Sequence, residues 1–154
     1  LWRAAGVAVI LTGLRRFRRD VLPGLSESRT GVLFAVAAVL ALPAANNGQV
    51  NLFIAGSALH GLAAVAGKRW WAAAGWLAGC GWLKVYPFAV GLLACLIAPR
   101  QLAPRLVVAA GVGFAVPFAC QGPGYVWAEY REFAGVLRTD DRTDPSAQQR
   151  AVLD

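Results

Sequence analysis

The chain is 154 residues long, 58% of them hydrophobic and 15% charged, with a formal net charge of +7. A mean hydropathy of +0.53 and long apolar runs exclude an ordinary water-soluble domain. The runs are continuous and do not alternate, which excludes a transmembrane barrel. The positive charge is divided into short clusters between apolar segments, as in cytoplasmic loops of membrane proteins, and this excludes a nucleic-acid-binding role.

The first apolar run, residues 7–14, is too short to cross a bilayer, and the sequence does not open on Met. Together these lead us to expect a remnant of a span within an internal piece of a longer protein, rather than a signal peptide. Arg15, Arg16, Arg18 and Arg19 then form a basic loop over residues 15–20, followed by a polar connector with Pro23 and Gly24. A second apolar segment covers residues 30–45.

It is broken by Asn46-Asn47-Gly48-Gln49-Val50-Asn51, which packs four carboxamides into six residues. Amides donate and accept hydrogen bonds, so this segment suits sugar hydroxyls or a phosphate at a helix start. It equally describes a hydrophilic turn with helix-capping asparagines. Polar groups set against hydrocarbon are costly, which directs attention to the break as a candidate site.

A third segment, residues 50–67, contains His60. A histidine can act as a general base, but within an apolar run a hydrogen-bonded helix–helix contact is the better account. Lys68 and Arg69 make the second basic cluster. Residues 70–98 then admit either one long tilted helix or two short helices turning at Lys84-Val85-Tyr86-Pro87. Pro87 lacks an amide hydrogen and disfavours helical geometry at Tyr86. The hairpin also puts Lys68 and Arg69 on the same side as Arg100 and Arg105, as the positive-inside rule requires. Lys84 is a point charge suited to a phosphate, or else a lysine snorkelling beside Trp82 and Tyr86.

A last apolar segment covers residues 106–120. Cys80, Cys95 and Cys120 have neither metal-ligand nor disulfide-framework spacing and read as small buried hydrophobes. In the tail, Val126, Trp127, Tyr130, Phe133, Ala134 and Leu137 recur at spacings of three and four, an amphipathic helix suited to the headgroup level. Asp140, Asp141 and Asp144 beyond it read as solvated loop acids rather than as a base or metal ligands.

The expected fold is therefore all-α: a polytopic transmembrane bundle of about five to six segments, some short or re-entrant, with one interfacial helix. Residues 1–121 form the transmembrane region and residues 122–154 an extracytoplasmic helix and loop. In this topology the three basic clusters face the cytoplasm. The amide break, the Lys84 turn and the tail face the opposite side.

An apolar helix ending in Gly48-Gln49-Val50-Asn51, followed about thirty-five residues later by Lys84-Val85-Tyr86-Pro87 on a hairpin, resembles glycosyltransferase family 87. The resemblance implies a membrane enzyme of the GT-C type, akin to mannosyltransferases that use polyprenol-phosphate-mannose. It implies a polyprenyl-phosphate-linked sugar donor, a lipid or glycan acceptor, and transfer at the extracytoplasmic face of the plasma (inner) membrane, without a metal or cofactor. By the same resemblance, Asn47, Gly48, Gln49, Asn51, Lys84 and Tyr86 would line the substrate site. The acidic general base would come from an extracytoplasmic loop upstream of Leu1. A transporter or flippase is the competing class, since broken helices also bind substrates there. A membrane scaffold without catalysis would leave Lys84 and Gln49 far apart.

Overall fold

The computed structural model describes residues 1–139. Those residues form seven helices in chain order: α1 Trp2–Val21, α2 Glu27–Asn46, α3 Asn51–Ala66, α4 Trp70–Leu83, α5 Phe88–Ile97, α6 Pro99–Cys120 and α7 Pro123–Thr139. No strand occurs among them. The chain divides into two compact units, Leu1–Phe114 and Ala115–Asp154.

The first unit is built on α3. Helix α1 runs parallel to it in close contact, because glycines face one another where the two cross. A Cβ added at Gly13 would come within 2.7 Å of the Gly56 carbonyl oxygen. One added at Gly56 would meet the backbone of Val9, also at 2.7 Å. Small residues of this kind allow backbone-to-backbone packing that larger side chains forbid. Helix α4 returns antiparallel along the other side of α3, with Leu77 seated where Gly61 leaves room. A core of small and branched side chains, with Leu77, Leu102, Leu106, Ala73 and Ala94 fully or almost fully buried, joins α3, α4, α5 and α6.

The outward faces are apolar. Helix α2 has no buried residue, and Leu40 is 74% exposed on it. Leu96 on α5 is 78% exposed and Val107 on α6 is 72% exposed. A water-facing surface this rich in branched side chains would be insoluble, so the faces belong against hydrocarbon. Helices α2, at 20 residues, and α6, at 22, are long and apolar enough to cross a membrane. At 1.5 Å per residue they measure about 30 and 33 Å, matching a hydrocarbon core of about 30 Å. Helices α3 (16 residues), α4 (14) and α5 (10) are shorter, and α5 reaches only about 15 Å.

Two boundaries differ from the sequence reading. Residues 15–20 are not a loop but the last turns of α1. Arginine is a good helix former, and cations at a helix C-terminus are favoured by its dipole. Likewise α6 begins at Pro99, so Arg100 and Arg105 lie on the helix rather than before it. Proline suits the first turn, where its missing N–H has no partner to lose. The reversal at Lys84-Val85-Tyr86-Pro87 is present, with α4 ending at Leu83 and α5 starting at Phe88. Gly81 makes room there for the Phe88 ring, against which a Cβ would stand at 2.6 Å.

In the second unit, α7 carries exposed Trp127, Phe133 and Leu137. The Phe118 and Tyr130 rings meet edge to face at 5.9 Å, and the Arg131 guanidinium lies over the Trp127 ring at 5.3 Å. Asp140, Asp141 and Asp144 fall outside the described residues.

Candidate substrate site at the amide end of the bundle

Side-chain contacts sort the charged and carboxamide residues of the first unit to two opposite ends. At one end, Arg69 Nη2 donates to Asp20 Oδ2 at 2.7 Å, tying the α3–α4 turn to the last turn of α1. The Arg105 guanidinium stacks over Trp71 at 5.6 Å and donates to the Gln101 carbonyl. Three basic clusters distant in sequence thus share one end. The carboxylates Asp20 and Glu27 are there too: Asp20 pairs with Arg69, and Glu27 faces the arginines of α1 across a cleft.

The other end holds both polar breaks. Helix α2 stops at Asn46, and Gly48 adopts φ +62°, a left-handed conformation open to glycine at little cost. That geometry turns the chain within four residues and presents Gln49 and Asn51 at the start of α3. Lys84 sits at the C-terminal end of α4 in extended conformation. Because α4 is antiparallel to α3, its end returns to the beginning of α3. Lys84 Nζ donates to Asn51 Oδ1 at 3.3 Å, and Asn51 Nδ2 donates to Gln49 Oε1 at 3.0 Å. Lys84, Asn51 and Gln49 therefore form one hydrogen-bonded chain across two turns.

Tyr86 stays outside that chain, exposed, with its ring centroid 6.0 Å from Lys84 Nζ. Asn47 caps α2 with its side chain exposed and does not join it. Gly48 contributes through its backbone: its carbonyl oxygen accepts from Trp2 Nε1 at 3.0 Å. Trp2 also packs on Phe53 with ring centroids 4.2 Å apart. A Cβ at Gly48 would stand 3.6 Å from Arg3 Nε, which makes Arg3 a second cation beside the amide turn. The sequence reading missed Trp2 and Arg3. Their signal was an aromatic and a cation side by side ahead of an apolar run, the composition of a membrane interface.

Among the described residues no carboxylate pairs with Lys84. Its ammonium has one neutral amide partner and two further protons to offer, so it can take an anion without breaking an ion pair. Below the rim, a groove of about 480 Å³ runs between α2 and α3. Gln49 and Asn51 stand with its lining, and Leu40, Ala44, Leu52 and Ala55 form part of its apolar wall. A polar mouth over an apolar groove fits an amphiphile carrying a charged head.

His60 is elsewhere, buried between α1, α3 and α4. Its Nε2 lies 3.1 Å from Thr12 Oγ1, and its ring stacks on Trp76 at 4.5 Å. That is the helix–helix contact expected of it. Cys80 is buried, Cys95 half-buried and Cys120 exposed, all three as free thiols.

The all-helical fold, the lipid-facing apolar surfaces and a cationic, amide-rich rim define an integral membrane protein with a polar site at one end of its bundle. The model of glycosyltransferase family 87 matches residues 1–152, essentially the whole chain, and the protein belongs to that family. It is a membrane glycosyltransferase, and the transporter alternative falls away. Searches of curated proteins and of solved structures found no match.

Proposed function

We propose that this protein transfers a sugar, mannose in the first instance, from a polyprenyl-phosphate donor to a lipid or glycan acceptor. The reaction takes place on the extracytoplasmic face of the plasma (inner) membrane. We assign residues 1–121 to the membrane region and residues 122–154 to the extracytoplasmic side, residues 140–154 of which lie outside the described residues. The observation that carries this reading is the Lys84–Asn51–Gln49 chain at the mouth of an apolar groove.

The chemistry follows from those residues. In glycosyl transfer the acceptor hydroxyl attacks the anomeric carbon, the bond to phosphate breaks, and negative charge grows on the departing phosphate. A fixed cation at that phosphate stabilises the transition state more than the ground state. Lys84 is the group suited to this, with Asn51 orienting its ammonium. Gln49 and Asn47 offer amides to sugar hydroxyls, Tyr86 a ring face to the sugar, and the Gly48 turn close backbone approach. The prenyl chain lies along the α2–α3 groove. In the first unit the carboxylates Asp20 and Glu27 lie at the opposite end, so the general base comes from another segment.

The test is transfer from radiolabelled polyprenyl-phosphate-mannose by the full-length enzyme in proteoliposomes. Lys84→Ala is expected to lower transfer by roughly tenfold to a hundredfold, the scale of one lost charge-assisted contact, at unchanged protein abundance. Undiminished transfer by Lys84→Ala would remove the lysine from the mechanism. Transfer from a nucleotide-sugar in place of the lipid donor would overturn the donor assignment.

A further inference from the structure

A cleft of about 1010 Å³ opens at the basic end of the bundle, away from the Lys84 rim, and the proposed transfer reaction makes no use of it. Its cationic wall comes from one face of α1. Thr12, Arg15, Arg16 and Arg19 recur there at spacings of three and four and all line the cleft, with Arg18 beside them. Thr30 and Glu27 on α2 face them, and Phe34, Trp76 and His60 complete the wall.

The charge in this cleft is unbalanced. Arg19 is held by Asp20 at 2.6 Å, and Asp20 is shared with Arg69. Arg18 is occupied by the Thr30 hydroxyl at 3.3 Å and the Leu25 carbonyl at 3.2 Å. Arg15 and Arg16 form no ion pair among the described residues, and Glu27 is the one carboxylate lining the cleft. His60 is 5% exposed, and its Nδ1 has no hydrogen-bond partner among the described residues. Positive-inside topology accounts for arginines near this surface. It does not account for their gathering on one wall of a concavity at the upper end of the ligand-pocket size range.

We propose that this cleft is a second anion site, taking a phosphate-bearing group. Arginine binds phosphate oxygens bidentately and keeps its charge at any physiological pH. Arg15 and Arg16 are the two guanidinium groups free to do so. The Thr12 and Thr30 hydroxyls already donate to the Ala8 and Ser26 carbonyls, so the arginines carry the binding, and Phe34 and Trp76 cover the apolar part of the ligand. The source is either the headgroup of a phospholipid in the leaflet beside α1 and α2 or a soluble phosphate compound.

The experiment is calorimetric titration of inorganic pyrophosphate into the full chain in phosphatidylcholine nanodiscs, repeated in nanodiscs that also contain phosphatidic acid. Saturable binding is expected, weakened about tenfold or more by Arg15→Gln with Arg16→Gln, the scale of one or two charged hydrogen bonds. Arg15→Lys with Arg16→Lys, which keeps the charge, should retain part of it, and the glutamine variant should keep the helical circular dichroism of the unmodified protein, which shows that it is folded. If phosphatidic acid competes, the ligand is a lipid headgroup; if it does not, the ligand is soluble, and either outcome supports the site. Lys84→Gln should leave binding intact, which separates this cleft from the donor rim. Absence of saturable binding in both nanodiscs, binding indifferent to Arg15 and Arg16, or equal loss in Lys84→Gln would overturn the proposal.

Discussion

Lys84 Nζ and Asn51 Oδ1 meet at 3.3 Å across 33 residues of chain. The contact joins the end of α4 to the beginning of α3 and brings both interruptions of the apolar sequence to one rim. If Asn51 holds the ammonium for the donor phosphate, Asn51→Ala should act through Lys84. Transfer is expected to fall about threefold to tenfold, one net hydrogen bond's worth, mainly as a raised KM for the lipid donor. In a Lys84→Ala background the same change should add almost nothing, because the two residues share one interaction. Additive losses would separate their roles.

Much of this architecture is legible in the sequence because hydrocarbon enforces it. The apolar segments 30–45, 50–67 and 70–83 correspond to α2, α3 and α4 within a few residues. The reversal at Pro87 follows from proline geometry and from the placement of basic clusters. The end of α1 differs from the sequence reading because charge alone is a poor loop signal. Arg15–Asp20 in fact continues the helix, since arginine favours helical geometry and its long stem can reach water from a helix end. The pairing of Asp20 with Arg69 leaves no local trace, and the composition around Trp2 points to a membrane interface but not to its docking under Gly48. Each depends on which helices pack together, and that is decided by the small faces of Gly13 and Gly56 rather than by the polar residues themselves.

The Asp20 contact carries a pH dependence. Asp20 stands at the last turn of α1, clear of the apolar stretch, and hydrogen bonds from Arg19 and then Arg69 hold its carboxyl below the ordinary value of 3.8, against some desolvation. A depressed carboxylate contributes stability that is complete above its unfolded-state value and lost as pH falls through the folded-state value. Asp20→Asn should therefore lower the melting temperature in detergent at neutral pH. The gap from the unmodified protein should close as the pH drops below 3.8. A gap that persists in acid would show that the two arginines draw on packing instead of charge.

The α1–α3 crossing predicts opposite outcomes for two glycine substitutions. At Gly56 a single methyl group would stand 2.7 Å from the Val9 backbone, so Gly56→Ala must push the helices apart. Overpacking of this kind costs about 1–3 kcal/mol, read as a melting temperature lower by several degrees. At Gly111 on α6 a Cβ would meet nothing within 4 Å. Gly111→Ala should be neutral or slightly stabilising, because alanine favours the helix by up to about 1 kcal/mol over glycine. Equal effects at the two sites would mean that helix propensity, and not close approach, governs the crossing.

The sorting of polar groups to two ends makes a statement about membrane sidedness that labelling can read. In a protein whose native Cys80, Cys95 and Cys120 are replaced by alanine, cysteines at Gln49 and Lys84 should react with a membrane-impermeant maleimide from the same side. Both positions are exposed, so access is not limited by packing. Cysteines at Arg15 and Arg100, also exposed, belong to the opposite end and should be protected until the membrane is permeabilised. With α2 of spanning length between the ends, a maleimide that cannot enter about 30 Å of hydrocarbon distinguishes them. Gln49 and Lys84 labelling from different sides would break the rim on which the transfer mechanism stands. Labelling of all four from one side would mean that this part of the chain lies in the membrane surface and does not traverse it.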